Sequence, residues 1–499
     1  MSYASTVLLW FAVAPMIAFA IEPVNKEYLL RQKVRLAITL TNEGSEPVEV
    51  SDPTCRTNLQ PEFALRVPAA ADEEEPKEPV VFGPNGYRPA APVERTLMLG
   101  PGATWTGELE LNGLCPLNDE GEYEIEATLA LQDGKSAKAP KKTFVMKTAQ
   151  PYAVHHSEGV RPFGAGLGII VFLQGKKESA SVFKAQYNES EPHNLEVRVK
   201  PMREAAGARE NATDILTPWL NAAPFSDLIQ WMVWREGKSV LAMNTIQKAP
   251  ASVELPSKPD FLVRPPLQTA KGPVEVLALD GKALTLVVVP KRLKPVPTVG
   301  WTQELPEKPK AITAILGPEE LGSVRHLAFA TVDGGKVRVF HGTYSDSGLG
   351  KFESAEIAGL SGGLLPGSPL AVAATGDGVV HIAVLGRKGS SEVVLGSVQF
   401  GVPDKPEPVV AVKDVGKLEQ SVTASDLNVV TFEGKLLRID AAVQTADGET
   451  WNVTEEGKLA QVSPKRKALP PFTIVTGRDV GYLLCTDEVG AFHMQPLNR

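Results

Sequence analysis

Residues 327–340 read LAFATVDGGKVRVF, which is an apolar run, a turn with two glycines followed by lysine, and a second apolar run. This pattern predicts a β-hairpin, because glycine accepts the positive φ values that tight hairpin turns require. Similar units begin at residues 167, 228, 274, 327, 370, 427 and 472, with a mean spacing of about 51 residues. The C-terminal two-thirds of the chain is therefore expected to be an internally repeated β-structure.

A single hairpin cannot bury both of its faces, whereas four-stranded sheets stacked around an axis bury their faces and protect their edges. With seven units at this spacing, residues 151–499 resemble a β-propeller of about seven blades. The Gly-His and Trp-Asp signature of WD40 repeats is missing from the sequence. Five prolines lie within residues 290–309, so a break near 290–310 is either a loop between blades or a linker between two β-domains.

The part of the chain before the repeat has an alternating pattern. Val34, Leu36, Ile38 and Leu40 share one face of a predicted half-buried strand. Tyr123 comes just after a turn and starts a late strand, which is similar to the tyrosine corner of Ig-like sandwiches. Residues 21–150 therefore resemble a bacterial Ig-like β-sandwich, a kind of domain that binds, spaces or docks. The predicted fold class is all-β, an Ig-like β-sandwich followed by a β-propeller.

The N-terminus contains an apolar stretch over residues 7–20 that ends in Ala18, Phe19 and Ala20. These three residues fit the small-x-small pattern of signal-peptide cleavage sites. The stretch is short for a membrane span and contains Pro15. Residues 1–20 are interpreted as a signal peptide, although they carry no Lys or Arg, and an uncleaved anchor is the alternative. The prediction is a periplasmic or extracellular, cell-surface protein without a transmembrane segment after cleavage.

The chain has three cysteines. Cys55 and Cys115 both fall in the predicted first domain, and an oxidising compartment would permit them to form a disulfide. Cys485 lies in an apolar strand and is interpreted as a small buried hydrophobic residue.

The net charge is −8 and is spread along the chain, apart from a short acidic run at residues 72–75. A mildly acidic surface supports solubility and argues against binding of nucleic acid.

No catalytic motif is visible in the sequence. The seven histidines form no zinc-binding pattern, and the adjacent pair His155 and His156 would point to opposite faces of a strand. Scattered strand histidines such as His326, His341 and His381 could converge on one face of a propeller, but such residues are more often packed or solvated. Neither a Rossmann fingerprint, a Walker loop nor a nucleophile elbow is present. No catalytic, cofactor-binding or metal-binding residue is predicted, and the protein is not expected to be an enzyme.

Residues 445–451 read TADGETW. They resemble the Asp-box of sialidase-type propellers, Ser-x-Asp-x-Gly-x-Thr-Trp, but are one residue short between Asp and Thr. Residues 345–348 with Phe352 are a poorer match. In that family the box braces a turn and does not take part in catalysis. The arginines and the Tyr/Glu pair of a sialidase centre cannot be identified in this sequence.

Trp219, Trp231 and Trp234 cluster in the sequence close to Phe225. They are the candidate binding surface, because exposed tryptophans favour sugar stacking and protein interfaces. Packing in the core is the more frequent role of such residues and is favoured for at least one of the indoles.

The leading hypothesis is an exported, non-catalytic binding or scaffolding protein that is a subunit or accessory of an envelope or cell-surface complex. Its expected partners are other envelope proteins. The alternative is a carbohydrate-binding or glycan-processing propeller, which the Asp-box resemblance and the tryptophan cluster support.

Overall fold

A computed structural model describes the chain over residues 17–54, 61–67, 79–82, 95–112, 117, 119–131, 135–159, 167–176, 179–188, 203–209, 212–216, 220–221, 231–244, 249–263, 268–269, 273–290, 296–317, 324–389, 391–432, 434–454, 456–462, 469–476, 481–488, 490 and 492–497. The regular structure over these residues consists of β-strands, so the all-β prediction is confirmed. The chain divides into two compact units, Met1–Ala149 and Gln150–Arg499.

The first unit is built from small sheets whose strand pairs are antiparallel with one exception. Its strands are β1 (Ile17–Pro23), β2 (Glu27–Leu29), β3 (Arg35–Asn42), β4 (Val48–Ser51), β5 (Glu62–Arg66), β6 (Val80–Phe82), β7 (Thr96–Leu99), β8 (Thr104–Glu110), β9 (Gly121–Ala130), β10 (Ser136–Lys138) and β11 (Lys142–Lys147). One sheet has the order β1-β3-β8, and a second has the order β2-β11-β9-β5-β6 with β10 also paired to β9. β4 pairs with β7. Apolar side chains of both large sheets form a single core.

The alternation in β3 has the expected result, because Leu36, Ile38 and Leu40 are fully buried. The hydroxyl of Tyr123 donates a hydrogen bond to the carbonyl oxygen of Asp119 (2.9 Å). This is the backward contact that defines a tyrosine corner. The assignment of the whole unit to the Ig-like fold stays a prediction.

Strand β1 lies within the stretch that the sequence assigns to a signal peptide. It pairs with β3 from Ile17 opposite Asn42 to Pro23 opposite Leu36. Ile17 and Phe19 are buried in the core of the unit. Cleavage after Ala20 would remove four of the seven residues of β1 together with these two side chains. The boundary of the predicted signal peptide therefore coincides with the middle of a folded strand.

The second unit is a ring of seven sheets, here called blades 1 to 7. Blade 1 contains β12 (Pro151–Gly159), β13 (Leu167–Lys176), β14 (Ser179–Asn188) and β15 (Arg203–Arg209); blade 2 contains β16 (Ala212–Leu216), β18 (Trp231–Glu236), β19 (Ser239–Asn244) and β20 (Ala251–Glu254); blade 3 contains β21 (Phe261–Val263), β23 (Val274–Asp280), β24 (Ala283–Val289) and β25 (Thr298–Glu304). Two short strands outside the blades, β17 (Leu220–Asn221) and β22 (Gln268–Thr269), pair in parallel.

The remaining blades follow the same order. Blade 4 contains β26 (Ala311–Leu316), β27 (Arg325–Asp333), β28 (Lys336–Ser345) and β30 (Glu353–Ile357), with β29 (Gly348–Leu349) also on β28; blade 5 contains β31 (Leu370–Ala374), β32 (Val380–Lys388), β33 (Glu392–Phe400) and β34 (Val409–Lys417); blade 6 contains β35 (Val422–Phe432), β36 (Lys435–Thr445), β37 (Thr450–Val453) and β38 (Leu459–Val462); blade 7 contains β39 (Leu469–Thr476), β40 (Gly481–Thr486) and β41 (Phe492–Pro496).

The ring closes on itself. The first strand of each blade lies against the first strand of the next blade, and β39 of blade 7 lies against β12 of blade 1. A hydrophobic core fills each of the seven interfaces between neighbouring blades. At the closing interface, Phe172 of blade 1 meets Phe492 of blade 7 with ring centroids 5.1 Å apart. The second unit is therefore a seven-bladed β-propeller, which confirms the predicted fold class.

Polar contacts add to the closure of the ring. The side-chain nitrogen of Gln150, just before blade 1, donates to the carbonyl oxygens of Asp487 (2.6 Å) and Glu488 (2.9 Å) in blade 7. Its side-chain oxygen accepts a hydrogen bond from the hydroxyl of Thr486 (3.3 Å). The beginning of the propeller is thus fastened directly to its last blade.

A carboxylate joins neighbouring first strands at two places in the ring. Asp214 of blade 2 accepts a hydrogen bond from the backbone nitrogen of Leu262 in blade 3 (3.0 Å). Asp426 of blade 6 accepts the corresponding bond from Ile474 in blade 7 (2.7 Å). Hydrogen bonds to a charged acceptor are stronger than neutral ones. The two contacts therefore set the spacing of adjacent blades.

The seven hairpins of the sequence pattern do not occupy equivalent positions. In blades 1 to 4 they are the second and third strands, as in β27–β28, whereas in blades 5 to 7 they are the first and second strands, as in β31–β32. Both kinds have the same apolar–turn–apolar pattern because the inner strands of a blade, such as β27, β31 and β32, are largely buried. The sequence therefore gives the correct number of blades, but its repeat units do not begin at the same strand of every blade.

The described part of the proline-rich stretch belongs to the ring. β25 is the outer strand of blade 3, and β26 follows as the first strand of blade 4. Residues 296–317 thus connect neighbouring blades of one propeller, and the interpretation as a loop between blades applies there. Residues 291–295 lie outside the described residues.

Candidate functional site

The antiparallel order of the blades gives the propeller two different faces. Turns between first and second strands, and between third and fourth strands, lie on one face, here called face I. Turns between second and third strands, together with the connections between blades, lie on the opposite face, here called face II. These two faces carry the surfaces at which a propeller can meet a ligand.

The tryptophans predicted as a binding surface are core residues where they are described. Trp231 lies in the interface between blades 2 and 3, and Trp234 lies in the interface between blades 1 and 2. The indole nitrogen of Trp234 donates to Glu236 (2.6 Å). Both rings are buried because β18 sits in the middle of its blade and packs on both sides. The prediction of a binding surface is wrong for these two residues, and Trp219 lies outside the described residues.

The structure brings His326 and His341 together in blade 4. Nδ1 of His326 and Nε2 of His341 are 3.1 Å apart and share a hydrogen bond, and the rings stack at 5.3 Å. Burial lowers the pKa of His326. Burial, followed by the charge of His326, lowers the pKa of His341 to about 4. The pair is therefore neutral at physiological pH, and the ring of His341 also lies 5.3 Å from the ring of Phe400 in blade 5, so the pair is packed against a neighbouring blade.

Two other histidines have contacts of their own. His381 lies on β32 of blade 5, where burial lowers its pKa while the nearby Asp377 opposes that shift. His493 contacts the buried carboxylate of Asp487 at 2.8 Å. His155 and His156 are neighbours on β12, and His193 lies outside the described residues. Within the described part of the chain, no cluster of three or more His, Cys, Asp or Glu side chains could hold a metal ion.

An ionic cluster lies between blades 3 and 4. Arg325 contacts the nearly buried Glu275 at 2.6 Å and the exposed Asp346 at 2.7 Å. Burial raises the pKa of Glu275, and Arg325 opposes that shift. The guanidinium also lies 5.9 Å from the centre of the Tyr344 ring. Because Arg325 is occupied by carboxylates of two blades, the cluster acts as an inter-blade contact.

The Asp-box-like stretch forms the turn between β36 and β37. The hydroxyl of Thr445 donates to Asp447 (2.6 Å), and the backbone nitrogen of Glu449 donates to the same carboxylate oxygen (3.3 Å). Blade 5 contains the same turn, in which Thr375 donates to Asp377 (2.6 Å). The carboxylate in each turn is occupied by its own hairpin. The stretch stabilises its own turn, as the resemblance implied.

An apolar pair is exposed on face I. Leu436 and Leu437, at the start of β36, are 38% and 51% exposed. Two consecutive residues project outward because β35 and β36 shift register there: Thr431 pairs with Leu436, while Val430 pairs with Arg438. Leu437 is thus the extra residue of a β-bulge, a feature that redirects side chains. We call Leu436 and Leu437 the leucine pair.

The leucine pair stands on a supported hairpin. The backbone nitrogen of Gly376, in the blade 5 turn, donates to the carbonyl oxygen of Gly434 (2.7 Å). Just beyond the pair, the side-chain nitrogen Nε of Arg438 donates to Asp440 (2.9 Å). The first bond ties the hairpin to blade 5, and the second orders the side chain of Arg438 within β36. Val409 and Val410, at the start of β34 on the same face of blade 5, are also more than one-third exposed.

Sequence reasoning missed the leucine pair because apolar residues after a Gly-Lys turn predict a buried strand. The one available signal was the sequence Lys435-Leu436-Leu437-Arg438, which breaks the alternation of period two and places charges on both sides of the leucines. A bulge cannot be located from that pattern alone, because its position depends on the register of the partner strand.

The described cysteine is not a reactive thiol. Cys485 is buried and free, and burial, with a smaller effect of Asp487, raises the pKa of its thiol to about 12. Cys55 and Cys115 lie outside the described residues, so their pairing stays a prediction. No helix in the described part of the chain is long and apolar enough to cross a membrane.

The chain matches no protein-family model and no curated protein. Among solved structures it is similar to BBS1N, crystallised in complex with ARL6DN, at 14% identity over 71% of this chain and 94% of that one, with a TM-score of 0.37. It is also similar to a mutant of the Aleuria aurantia lectin in complex with α-methyl-L-fucoside, at 12% identity over 65% of this chain and 97% of that one, with a TM-score of 0.33. Likenesses of this size carry no argument about ligands or partners.

Proposed function

We propose that this chain is an exported, non-catalytic binding and scaffolding protein, a subunit or accessory of an envelope or cell-surface complex. Its propeller docks a partner protein through the leucine pair on face I. The observation that carries the proposal is the outward projection of two adjacent leucines at a β-bulge. Adjacent exposed apolar side chains that form a contiguous patch are a feature of protein interaction sites.

The rigidity of the surface supports binding. The hairpin is tied to blade 5 through Gly376 and Gly434, and the ring is closed at blade 7 through Gln150. A preorganised surface loses little conformational entropy on association, so more of the contact energy contributes to affinity. A closed propeller therefore holds the leucine pair in a fixed position for contact with a partner protein.

The contacts of Arg325 and Asp426, two ionisable residues of the propeller, support a role without catalysis. Arg325 is occupied by Glu275 and Asp346, and Asp426 by the first strand of blade 7. Residues that hold blades together in this way are not free to move protons or attack a substrate. Arg325 and Asp426 instead stabilise the ring by joining neighbouring blades.

The experiment is affinity isolation of the full chain from the native envelope, with mass spectrometry of co-purifying proteins. A Leu436→Ser/Leu437→Ser variant is compared with the wild type. Each leucine side chain contributes about 1.5–3 kcal/mol when it becomes fully buried. Because the pair is already partly buried, the double variant should reduce recovery of the specific partner by roughly tenfold to a hundredfold.

The matched control is Val296→Ser/Val299→Ser. Val296 and Val299 lie at the outer strand of blade 3 and are 64% and 39% exposed. This control loses a comparable exposed apolar surface away from the leucine pair, and it should retain the partner. Recovery of the wild type as a lone monomer, or equal loss of the partner in both variants, would contradict the proposal.

A further inference from the structure

The outer edge of blade 5 is longer than the outer edges of the other blades. Its outer strand β34 has nine residues, whereas the outer strands of the other blades, as far as the structure describes them, have four to seven. β34 pairs with β33 on one side only. Apart from β33, nothing in the described part of the chain forms a backbone hydrogen bond with residues 409–413. The edge therefore presents unpaired backbone donors and acceptors, to which a further strand can bind.

The first half of this edge strand is apolar and exposed on both faces. Val409, Val410 and Val412 are 37%, 39% and 42% exposed, and Ala411 between them is exposed as well. Edge strands are usually shielded by short length, proline, charges or bulges. Here a proline precedes the strand and a β-bulge interrupts it at Val415. The four apolar residues themselves have no such protection, so they form an apolar edge on the rim of the propeller.

Two exposed charged side chains flank this apolar segment. Glu407 lies two residues before Val409, and Lys413 follows Val412 directly. Neither charge is part of an ion pair or a side-chain hydrogen bond with another described residue. The edge therefore has one negative end, an apolar middle and one positive end, and both charges are available to a partner.

A second copy of the same strand matches this pattern when it runs antiparallel. In a pair centred on Val410, the apolar residues of the two copies face one another: Val410 with Val410, Val409 with Ala411, and Val412 with Pro408. The same register places Glu407 of each copy opposite Lys413 of the other. Apolar pairs and opposite charges across two strands stabilise a sheet, whereas like charges directly opposite destabilise it. The chain thus supplies the complement of its own edge.

We propose that two copies of this chain associate through β34, by antiparallel pairing centred on Val410, into a two-fold symmetric dimer. The two blades 5 then form one continuous sheet. The two-fold axis makes the interface isologous, so each contact away from the axis occurs twice. The inference goes beyond the proposed docking of a different protein, because it does not use the leucine pair and stands without it.

The test is sedimentation velocity of the full chain at concentrations from about 1 to about 100 µM, because the pairing of one strand buries less area than a standard interface and association should be weak. The wild type should shift from monomer to dimer over this range. Val410→Lys places two lysines opposite each other at the axis and should weaken association at least tenfold. Val299→Lys is the matched control, because Val299 is also 39% exposed and lies on the outer strand of blade 3. It should dimerise like the wild type.

Charge reversal tests the register itself. Glu407→Lys opposes two lysines at each end of the pair and should weaken association about tenfold. Adding Lys413→Glu to the same chain restores opposite charges at both ends and should restore association. In the same way, an equal mixture of Val410→Lys and Val410→Glu proteins should form a heterodimer, while each protein alone stays monomeric.

The proposal is overturned if the wild type stays monomeric at every concentration, or if Val410→Lys dimerises as strongly as the wild type. It is also overturned if the double charge reversal does not regain the association lost in Glu407→Lys. A monomeric wild type that captures a different protein, which Val410→Lys loses, would assign the edge to that protein and overturn the proposal as well. Thermal unfolding checks that each variant is folded. The Leu436→Ser/Leu437→Ser protein should dimerise like the wild type, which separates failure here from failure of the protein-docking proposal.

Discussion

The propeller contains two apolar segments with similar composition and opposite placement. β18 of blade 2 carries Trp231 and Trp234, both almost fully buried, whereas the start of β36 in blade 6 carries the exposed Leu436 and Leu437. β18 is a middle strand with a core on each side. The hairpin of blade 6 instead carries a register shift beside its exposed turn. Placement in the blade, not hydrophobicity, therefore decides whether an apolar side chain stabilises the ring or can contact a partner.

The largest expected effect of a single substitution comes from the buried side of this comparison. Trp234→Ala leaves a large cavity in the core between blades 1 and 2, so we expect a loss of about 3–5 kcal/mol in the free energy of unfolding. Chemical denaturation of the full chain, followed by circular dichroism, measures this change. A loss below 1 kcal/mol would show that the indole is not packed as described.

A truncation tests the same distinction in the first unit. A chain that starts at Ile21 lacks the buried Ile17 and Phe19, while a chain that starts at Met16 keeps them. Each lost side chain removes about 1.5–3 kcal/mol of burial. The shorter chain should therefore show a lower thermal midpoint for the first unit in calorimetry. Equal midpoints would indicate that β1 does not need residues 17–20.

The neutral histidine pair predicts a pH dependence of intermediate size. The pKa of His341 in the folded protein is about 4, below its usual value near 6.5. The unfolded chain therefore binds the proton more readily, so the contribution is complete above about pH 6.5 and is lost as the pH falls towards 4.

Comparison of unfolding free energies of the wild type and His341→Gln at pH 7 and pH 4.5 isolates this contribution. The wild type should lose on the order of 2 kcal/mol more than the variant over this range, because its unfolded chain binds a proton at residue 341 that the folded protein does not bind. Parallel losses in the two proteins would mean that His341 is not the group responsible.

The smallest expected effect comes from the exposed side of the comparison. Leu436→Ser/Leu437→Ser should change the free energy of unfolding by no more than about 0.5 kcal/mol, because surface substitutions away from caps and cores have small effects. Differential scanning calorimetry measures this. A loss similar to that of Trp234→Ala would assign the leucines to the fold and remove the support for docking.

Much of the fold could be predicted from the sequence, because hairpin turns and alternating strands are local patterns. Gly335 and Gly378, for example, have φ values of 80° and 86° in their turns, and the turns that contain them were located from the sequence. The tyrosine corner at Tyr123 is also a local feature, since its partner Asp119 is only four residues away. The candidate site was not predictable in this way, because exposure depends on neighbours that are distant in the sequence.

The amino-acid sequence by itself thus determined the all-β class, the seven units and the turn chemistry of residues 375–379 and 445–449. Only the tertiary structure decided that the ring closes, that Trp231 and Trp234 are core residues, and that Leu436 and Leu437 are exposed. The physical reason is the range of the interactions. Turn geometry is fixed by a few adjacent residues, whereas burial is fixed by the blade that packs alongside, and blade 1 meets blade 7 only after more than 300 residues have intervened.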